Sequence, residues 1–296
     1  MQILRAQSAG FCLGVSLALK RLDRELAIFA DNAAKKLPRG RLLTLGPIIH
    51  NPLVMRRYAE QGVLLTDDPA HVQSGDRVVL RAHGIPKEVE KLLQEAGAHL
   101  VDATCPKVKK AQTAIGKTAA KGGILLLFGE KEHPEVRGLL SYAGPGSLVF
   151  GSLAELEKLD IDPAKPYFLA AQTTQERSAF RQAKECLEQR FGRPLRTLDT
   201  ICDATRSRQQ EVIDLCGSVR AMVVVGGFNS GNTRRLAEVA LAAGIAALHI
   251  EQPSDLSEAD LTVLRNCGGP VGLTAGASTP QEHIDAVQCF LEAKLP

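Results

Sequence analysis

Cys12, Cys105 and Cys202 lie 93 and 97 residues apart. Each sits in a short turn-like segment that leads into a helical pattern: Gly10-Phe11-Cys12-Leu13-Gly14, Asp102-Ala103-Thr104-Cys105-Pro106 and Ile201-Cys202-Asp203-Ala204-Thr205. Turns rich in Gly, Pro or Asp-Thr let a side chain project into a cleft. Three thiolates meeting in one cleft select a soft metal: zinc, copper(I) or an iron–sulfur cluster. A closed zinc site takes a fourth Cys or His, and a catalytic one takes a water. A [4Fe–4S] cluster normally takes four Cys, so three leave one iron open to a substrate. The wide spacing is unlike the compact Cys-x-x-Cys runs of electron-transfer ferredoxins, and spacing alone leaves both cluster and zinc standing. Cys186, Cys216, Cys267 and Cys289 fall in helical or apolar segments and read as small packing hydrophobes.

A second group of residues suits an anion and a proton. Gly226-Gly227-Phe228-Asn229-Ser230-Gly231-Asn232-Thr233 follows an apolar run and opens a helix, as a phosphate-binding loop does. Asn232 stands where the lysine of an ATPase loop belongs, which argues against an ATPase. The backbone N–H groups of such a loop can still hold an anion, with Ser230, Asn232 and Thr233 beside them, and the Gly276-Ala277-Ser278-Thr279-Pro280 turn is similar. A plain helix N-cap is the alternative for both loops. His50, His83 and His133 occupy strand-end loops, where three imidazoles could bind a polyanion and share protons near neutrality. Glu135, two residues after His133, could deliver a proton if its surroundings raised its pKa. Its plain alternative is a first-turn glutamate favoured by the helix dipole. The run Lys107-Val108-Lys109-Lys110 reads as a solvated helix face.

The elements that must carry these residues repeat three times. One apolar run enters a polar loop and then a helix: Leu42–Ile49 into His50-Asn51-Pro52, Gly123–Phe128 into His133-Pro134-Glu135, and Met222–Val225 into Asn229-Ser230-Gly231-Asn232. A second run does the same: Arg77–Leu80 into Ala82-His83-Gly84, Tyr167–Ala171 into Gln172-Thr173-Thr174, and Pro270–Leu273 into Thr274-Ala275-Gly276-Ala277-Ser278. Helical periodicity follows over Lys87–Ala96, Gln175–Phe191 and Pro280–Lys294. Strands alternating with helices predict parallel sheets, whose ligands bind outside the carboxyl ends of the strands. The chain therefore reads as α/β, with units at 14–104, 105–198 and 199–296, the last joined by the N-terminal segment 1–13, arranged around one shared centre.

Composition excludes several classes. The chain has 296 residues, 45% hydrophobic and 23% charged, with a net charge of +3, which is ordinary for a globular protein. The small net charge, with no Trp and only nine Phe and three Tyr, argues against nucleic-acid binding. An odd, sparse set of seven cysteines argues against a disulfide scaffold and for a reduced, cytoplasmic setting. Stretches of low charge such as Ala221–Thr233 and Asn266–His283 hold too few apolar residues to span a membrane. Ser8–Leu19 lacks the basic flank and cleavage site of a signal peptide and reads as a loop entering a helix.

Taken together these motifs resemble the 4-hydroxy-3-methylbut-2-enyl diphosphate reductase family of the methylerythritol phosphate route to isoprenoids. The resemblance covers essentially the whole chain. It is carried by Gly10–Val15, Gly46-Pro47-Ile48-Ile49-His50-Asn51-Pro52, Ala82-His83-Gly84, Asp102–Pro106, His133-Pro134-Glu135-Val136, Gln172-Thr173-Thr174, Ala204-Thr205 with Arg208-Gln209, Asn229–Asn232 and Thr274–Ser278. It implies a trefoil of three α/β domains with parallel sheets around a central cluster and substrate cavity. It implies that Cys12, Cys105 and Cys202 hold a [4Fe–4S] cluster whose fourth iron binds the substrate's allylic oxygen. The implied reaction converts the allylic alcohol diphosphate to isopentenyl and dimethylallyl diphosphate, taking up two electrons and two protons and losing water. His50, His83, Ser230, Asn232 and Ser278 would bind the diphosphate together with His133, and Glu135 would be the proton source with Thr173 as its partner. Where many family members carry Ser-Ser-Asn, this chain has Ser230-Gly231-Asn232, so one hydroxyl is missing and the Gly231 N–H is left to serve. The implied electron donor is an external ferredoxin or flavodoxin, and no Gly-x-Gly-x-x-Gly nucleotide fingerprint appears. A competing reading is a non-enzymatic redox sensor or zinc-bound regulatory module built on the same three cysteines. A zinc hydrolase is disfavoured, because three thiolates make a poor Lewis acid.

Overall fold

The structure, a computed structural model, describes residues 1–35 and 40–295. In chain order the elements begin with β1 (Ile3–Arg5), α1 (Leu13–Ala34), β2 (Leu42–Leu45), α2 (Pro52–Glu60), β3 (Leu64–Thr66), β4 (Arg77–Leu80), α3 (Lys87–Glu95) and β5 (His99–Asp102). They continue with α4 (Pro106–Ala119), β6 (Ile124–Phe128), α5 (Pro134–Leu140), β7 (Leu148–Phe150), α6 (Leu153–Glu157), β8 (Tyr167–Ala171), α7 (Arg177–Phe191) and β9 (Arg196–Thr197). The last third comprises α8 (Asp203–Cys216), β10 (Ala221–Val225), α9 (Gly231–Ala242), β11 (Ala246–Ile250), α10 (Glu258–Arg265), β12 (Val271–Ala275) and α11 (Gln281–Lys294).

These strands form three four-stranded sheets, ordered β3-β2-β4-β5, β7-β6-β8-β9 and β11-β10-β12-β1. Every pairing is parallel. Within each sheet the order is second, first, third, fourth, and the third sheet takes its fourth strand from the N-terminus, where Ile3 pairs with Val271. The predicted α/β class with parallel sheets is what the structure shows. The chain divides into two compact units. One holds Met1–Val15, His50–Val54 and Asp203–Pro296, and with them the third sheet. The other holds Ser16–Ile49 and Met55–Cys202, and the first two sheets.

The six apolar runs seen in the sequence are the two central strands of each sheet. They are buried on both faces, which is why they read as continuous Val/Leu/Ile/Ala segments. Alternate residues serve opposite faces. In the second sheet, Leu126, Phe128, Leu169 and Ala171 pack against Phe180, Ala183, Leu187 and Phe191 of α7. Leu125, Leu127, Phe168 and Ala170 pack the other way, against Ala111 and Ile115 of α4 and Val136 and Leu139 of α5. The third sheet repeats the pattern, with Val223 and Leu273 facing Ile284, Val287 and Leu291 of α11, and Met222 and Val224 facing α8 and α9. The edge strands β3, β5, β7, β9 and β11 had no clear sequence signal because they are short and partly exposed.

All strands of a parallel sheet deliver their carboxyl ends to one edge, so the loops that follow first, third and fourth strands gather there. Those loops, together with the first turns of α5 and α9 that follow two of them, hold every residue singled out above as catalytic, binding or ligating. No helix among the described residues is long and apolar enough to cross a membrane.

The core assignment makes a direct prediction. Leu169→Ala, in a fully buried central strand, should destabilise the protein by about 2–5 kcal/mol. Leu65→Ala, in edge strand β3 and 53% exposed, should cost less than about 1 kcal/mol. Urea unfolding followed by circular dichroism checks the contrast, and equal midpoints for the two variants would contradict it.

Candidate functional site

The three cysteines occupy equivalent places. Cys12, Cys105 and Cys202 each immediately precede a helix, α1, α4 and α8, whose N-terminal end favours a negative charge. Each cysteine N–H donates to a backbone carbonyl two residues beyond the end of its sheet's third strand: Cys12 to Ala277 at 3.1 Å, Cys105 to Ala82 at 2.9 Å and Cys202 to Thr173 at 2.9 Å. None of the three is in a disulfide, and all are partly exposed. The Cys12 Sγ also accepts the Val15 N–H at 3.4 Å from the first turn of α1.

In the unit that contains Cys105 and Cys202, the residues between the two cysteines' anchors carry the acid–base groups. His83 directly follows the carbonyl that anchors Cys105. Its ring meets that of His133 edge-on, with centroids 5.4 Å apart. His133 caps α5, its Nδ1 accepting the Glu135 N–H at 3.1 Å. An accepting Nδ1 bears no proton, so this neutral ring carries its hydrogen on Nε2 as a donor. Glu135 is 1% exposed. Its Oε1 accepts the Thr173 N–H at 2.6 Å and its Oε2 accepts the Thr173 hydroxyl at 2.9 Å. Burial, partly offset by those two bonds, pushes the carboxyl up from 4.5 to about 7. Thr173 thus binds Glu135 through its N–H and hydroxyl while its carbonyl holds Cys202. The Cys202 loop is fixed again by Thr200, whose hydroxyl accepts from Ala171 N at 2.8 Å and donates to Ala171 O at 2.6 Å.

The other unit gathers neutral polar groups. Ser278 directly follows the carbonyl that anchors Cys12. Its hydroxyl donates to the His50 carbonyl at 3.1 Å. Asn51 donates to the Ser278 carbonyl at 3.0 Å and caps α2 by accepting the Val54 N–H at 3.1 Å. Gly227 passes so close to His50 that a Cβ there would lie 2.6 Å from the His50 carbonyl oxygen, so this loop position requires glycine. Ser230 caps α9 by accepting the Thr233 N–H at 3.3 Å. Gly231 opens that helix, and Asn232 follows it at the helix position that Glu135 holds in α5. The Asn232 side chain is buried, yet neither its Oδ1 nor its Nδ2 has a hydrogen-bond partner. A buried amide left this way loses about 1–3 kcal/mol per group unless a ligand supplies partners.

Several supporting residues escaped the sequence reading. His249 contacts the Gly226 carbonyl through Nε2 at 2.8 Å, and burial lowers its pKa. Glu251 accepts the Phe228 N–H at 2.8 Å, and Arg234 donates to the Phe228 carbonyl at 3.1 Å. These three brace the Gly226–Gly231 loop from outside it. Their sequence signal is weak, because side chains that bind only backbone carry no motif; the single clue for His249 and Glu251 was position at or just beyond the end of β11. Among the other thiols, Cys216 is buried, but Cys289 is exposed on α11 and is not a packing residue. Its helical position was read correctly and its face was not. Within the Lys107–Lys110 run, Val108 is buried and Lys109 pairs with Asp102 at 2.8 Å, so only part of that run is a solvated face.

The elevated Glu135 pKa fixes the sign of a pH effect. A carboxyl raised from 4.5 in the unfolded chain to about 7 in the folded one binds its proton more tightly when folded. Its stabilising contribution is complete below pH 4.5 and is lost as pH rises through about 7. That loss amounts to about 3 kcal/mol. Glu135→Gln removes the titration, so the stability of the wild type relative to this variant should fall across that window. Paired unfolding curves at several pH values check this, and a constant difference would contradict it.

The residues 3–292 match the family model for the LytB protein. The chain is 57% identical over 293 residues to a 4-hydroxy-3-methylbut-2-enyl diphosphate reductase of Nitratidesulfovibrio vulgaris strain DP4, covering 99% of this chain and 100% of that protein. It is 38% identical over 288 residues to the reductase of the same name from Citrifermentans bemidjiense, covering 97% and 95%. Among solved structures, the E-1-hydroxy-2-methyl-but-2-enyl-4-diphosphate reductase of Plasmodium falciparum superposes with a TM-score of 0.87 at 25% identity, over 99% of this chain and 87% of that one. A second structure, described as the terminal enzyme of the non-mevalonate pathway, gives 0.64 at 33% identity, over 99% and 100%. With a family model spanning nearly its whole length and enzymes of one name among its relatives, this chain belongs to the LytB protein family of reductases.

Proposed function

We propose that the chain catalyses reductive removal of the allylic hydroxyl of (E)-4-hydroxy-3-methylbut-2-enyl diphosphate. Two electrons and two protons are taken up, water leaves, and isopentenyl and dimethylallyl diphosphate form. The observation that carries this reading is the buried Glu135 carboxyl, with a pKa near 7, bonded to the residue whose carbonyl anchors Cys202. A dehydroxylation needs a proton for the departing oxygen, and an acid poised near the working pH is the effective donor.

Cys12, Cys105 and Cys202 would hold a [4Fe–4S] cluster. The donor set fits one: three thiols outside any disulfide, in equivalent backbone settings, each immediately before a helix. When bound with one iron open, such a cluster supplies electrons and a Lewis acid for the substrate oxygen. The remaining chemistry belongs to the chain. In its ionised form Glu135 accepts the Thr173 hydroxyl proton at Oε2. Once Glu135 is protonated that bond reverses, the carboxyl donates to Thr173 Oγ1, and the threonine hydrogen turns toward the substrate oxygen. Thr173 thereby hands the proton on while its own backbone stays fixed.

The diphosphate would be bound by His50, His83 and His133, by the Ser230, Asn232 and Ser278 side chains, and by the Gly231 N–H. Neutral His133 offers Nε2–H. Asn232 supplies a buried amide that has no other partner. Gly231, where relatives offer a serine hydroxyl, contributes one of the N–H groups that open α9. An external ferredoxin or flavodoxin would deliver the electrons in a reducing cytoplasm that keeps the thiols free.

Anaerobic purification with iron and sulfide analysis, followed by turnover of the allylic diphosphate with a reduced dye, tests the proposal. Zinc without labile sulfide, and no turnover, would overturn it. Glu135→Gln should lower kcat about 100-fold or more while KM stays within about threefold; full activity in that variant would remove its assigned role. Asn232→Ala should instead raise KM about tenfold or more, the loss of one hydrogen bond to a charged group. An unchanged KM would take Asn232 out of the diphosphate site.

A further inference from the structure

Each cysteine loop has the carbonyl anchor described above, but the loops differ in what else holds them. Cys105 is secured by its own neighbours. The Asp102 carboxylate accepts the Thr104 N–H at 2.9 Å and pairs with Lys109, and Cys105 is itself the cap of α4. Cys202 is secured by Thr200, two residues before it. The loop before Cys12 has no such local support. Between Ala6 and Cys12 the backbone makes one internal bond, Ala9 N to Ala6 O at 3.3 Å, and Gly10 sits at φ +118°, a conformation that gives a side-chain-bearing residue no favourable well.

That loop is gripped instead by α8, about 200 residues away in the chain. The Glu211 carboxylate accepts three hydrogen bonds from it: Gln7 N–H on Oε1 at 2.5 Å, Ser8 N–H on Oε2 at 2.9 Å, and the Ser8 hydroxyl on Oε2. One turn earlier, buried Arg208 donates through Nη2 to the Gly10 carbonyl at 2.8 Å and through Nη1 to its own helix at Ala204 at 3.1 Å. Residues three apart on a helix share a face, so the acid takes the loop's donors and the base takes its acceptor. The helix that provides both begins at Asp203, directly after Cys202.

We infer that Glu211 and Arg208 are positioning residues that clamp the Cys12 ligand loop onto α8, fixing Cys12 to the helix that follows Cys202. Neither residue touches substrate; both act through the backbone that carries a thiol. The inference rests on the reading of Cys12 as a cluster ligand. Its geometric content is independent of that reading: without the Glu211 carboxylate the Gln7–Cys12 loop opens, and the other two cysteine loops do not.

The test uses two readouts on the full chain. In reduced, metal-free protein, iodoacetamide alkylation of each cysteine is followed by peptide mass mapping. Glu211→Ala should accelerate alkylation of Cys12 by about tenfold or more, the opening expected when a charge-assisted hydrogen bond is lost, with Cys105 and Cys202 within about twofold of wild type. Glu211→Gln keeps one acceptor oxygen but turns an N–H group toward a backbone N–H, and should fall between the two. In the anaerobic holoenzyme, loss of visible cluster absorbance under a chelator should be several-fold faster in Glu211→Ala, with an altered electron paramagnetic resonance line shape in the reduced state. An unchanged Cys12 rate overturns the clamp. Equal acceleration at all three cysteines also overturns it, since that marks general loosening and not positioning. A wild-type protein that takes up no iron and sulfide would instead overturn the cluster reading, and the alkylation ratios would still decide the clamp.

Discussion

The hydrogen bond from each cysteine N–H to the carbonyl two residues past its sheet's third strand is the constraint on which the rest depends. A parallel sheet fixes where its strands end to within the register of its ladder, and here the ladders of the third strands run to Leu80, Ala171 and Ala275. By tying a cysteine to the carbonyl just beyond that point, the chain converts sheet register into thiol position. The same short loops carry His83, Thr173 and Ser278 at or beside the anchoring carbonyl. One backbone segment in each sheet therefore both anchors a cysteine and carries His83, Thr173 or Ser278. A slip of one residue in a third strand would displace both together.

Around this scaffold the polar groups depart from what folding alone favours. A fully buried carboxyl with a pKa near 7 and a buried amide with no partner both cost stability. Such costs are tolerated where the group has work to do on a ligand. The offset comes from sheets buried on both faces by helices, with Leu, Val and Phe filling each layer. The two local departures also sit at corresponding places, the second residue of α5 and of α9. One such helix start carries an acid and the other an amide, the groups proposed above as proton source and anion ligand.

How much of this was legible in the sequence depended on the kind of signal. Central strands were readable because burial on both faces leaves an unbroken apolar run, as in Ala221–Val225. Edge strands such as β3 and β9 were not, since a two- or three-residue exposed strand has no periodicity to detect. The loop residues with special chemistry, Glu135 and the three cysteines, stood out through their neighbours: Pro134, Pro106 and the Gly or Asp-Thr turns. The threefold placement of the cysteine loops followed from spacing. The bracing side chains were invisible. His249, Glu251, Thr200 and Glu211 act on backbone atoms that any residue possesses, so no partner residue type marks them, and their partners are brought near only by the sheet order. Cys289 shows the reverse error: a helical pattern located it, but the side of α11 it faces is decided by which neighbours that helix covers.

The proposed function requires three thiolates to hold a four-iron cluster with one iron open, and an acid to protonate the leaving oxygen. Mössbauer spectroscopy of iron-57 protein, before and after addition of the allylic diphosphate, tests it most directly. One iron should be distinct from the other three, with a shift confined to that iron when substrate binds. Four equivalent irons, or a spectrum indifferent to substrate, would contradict it.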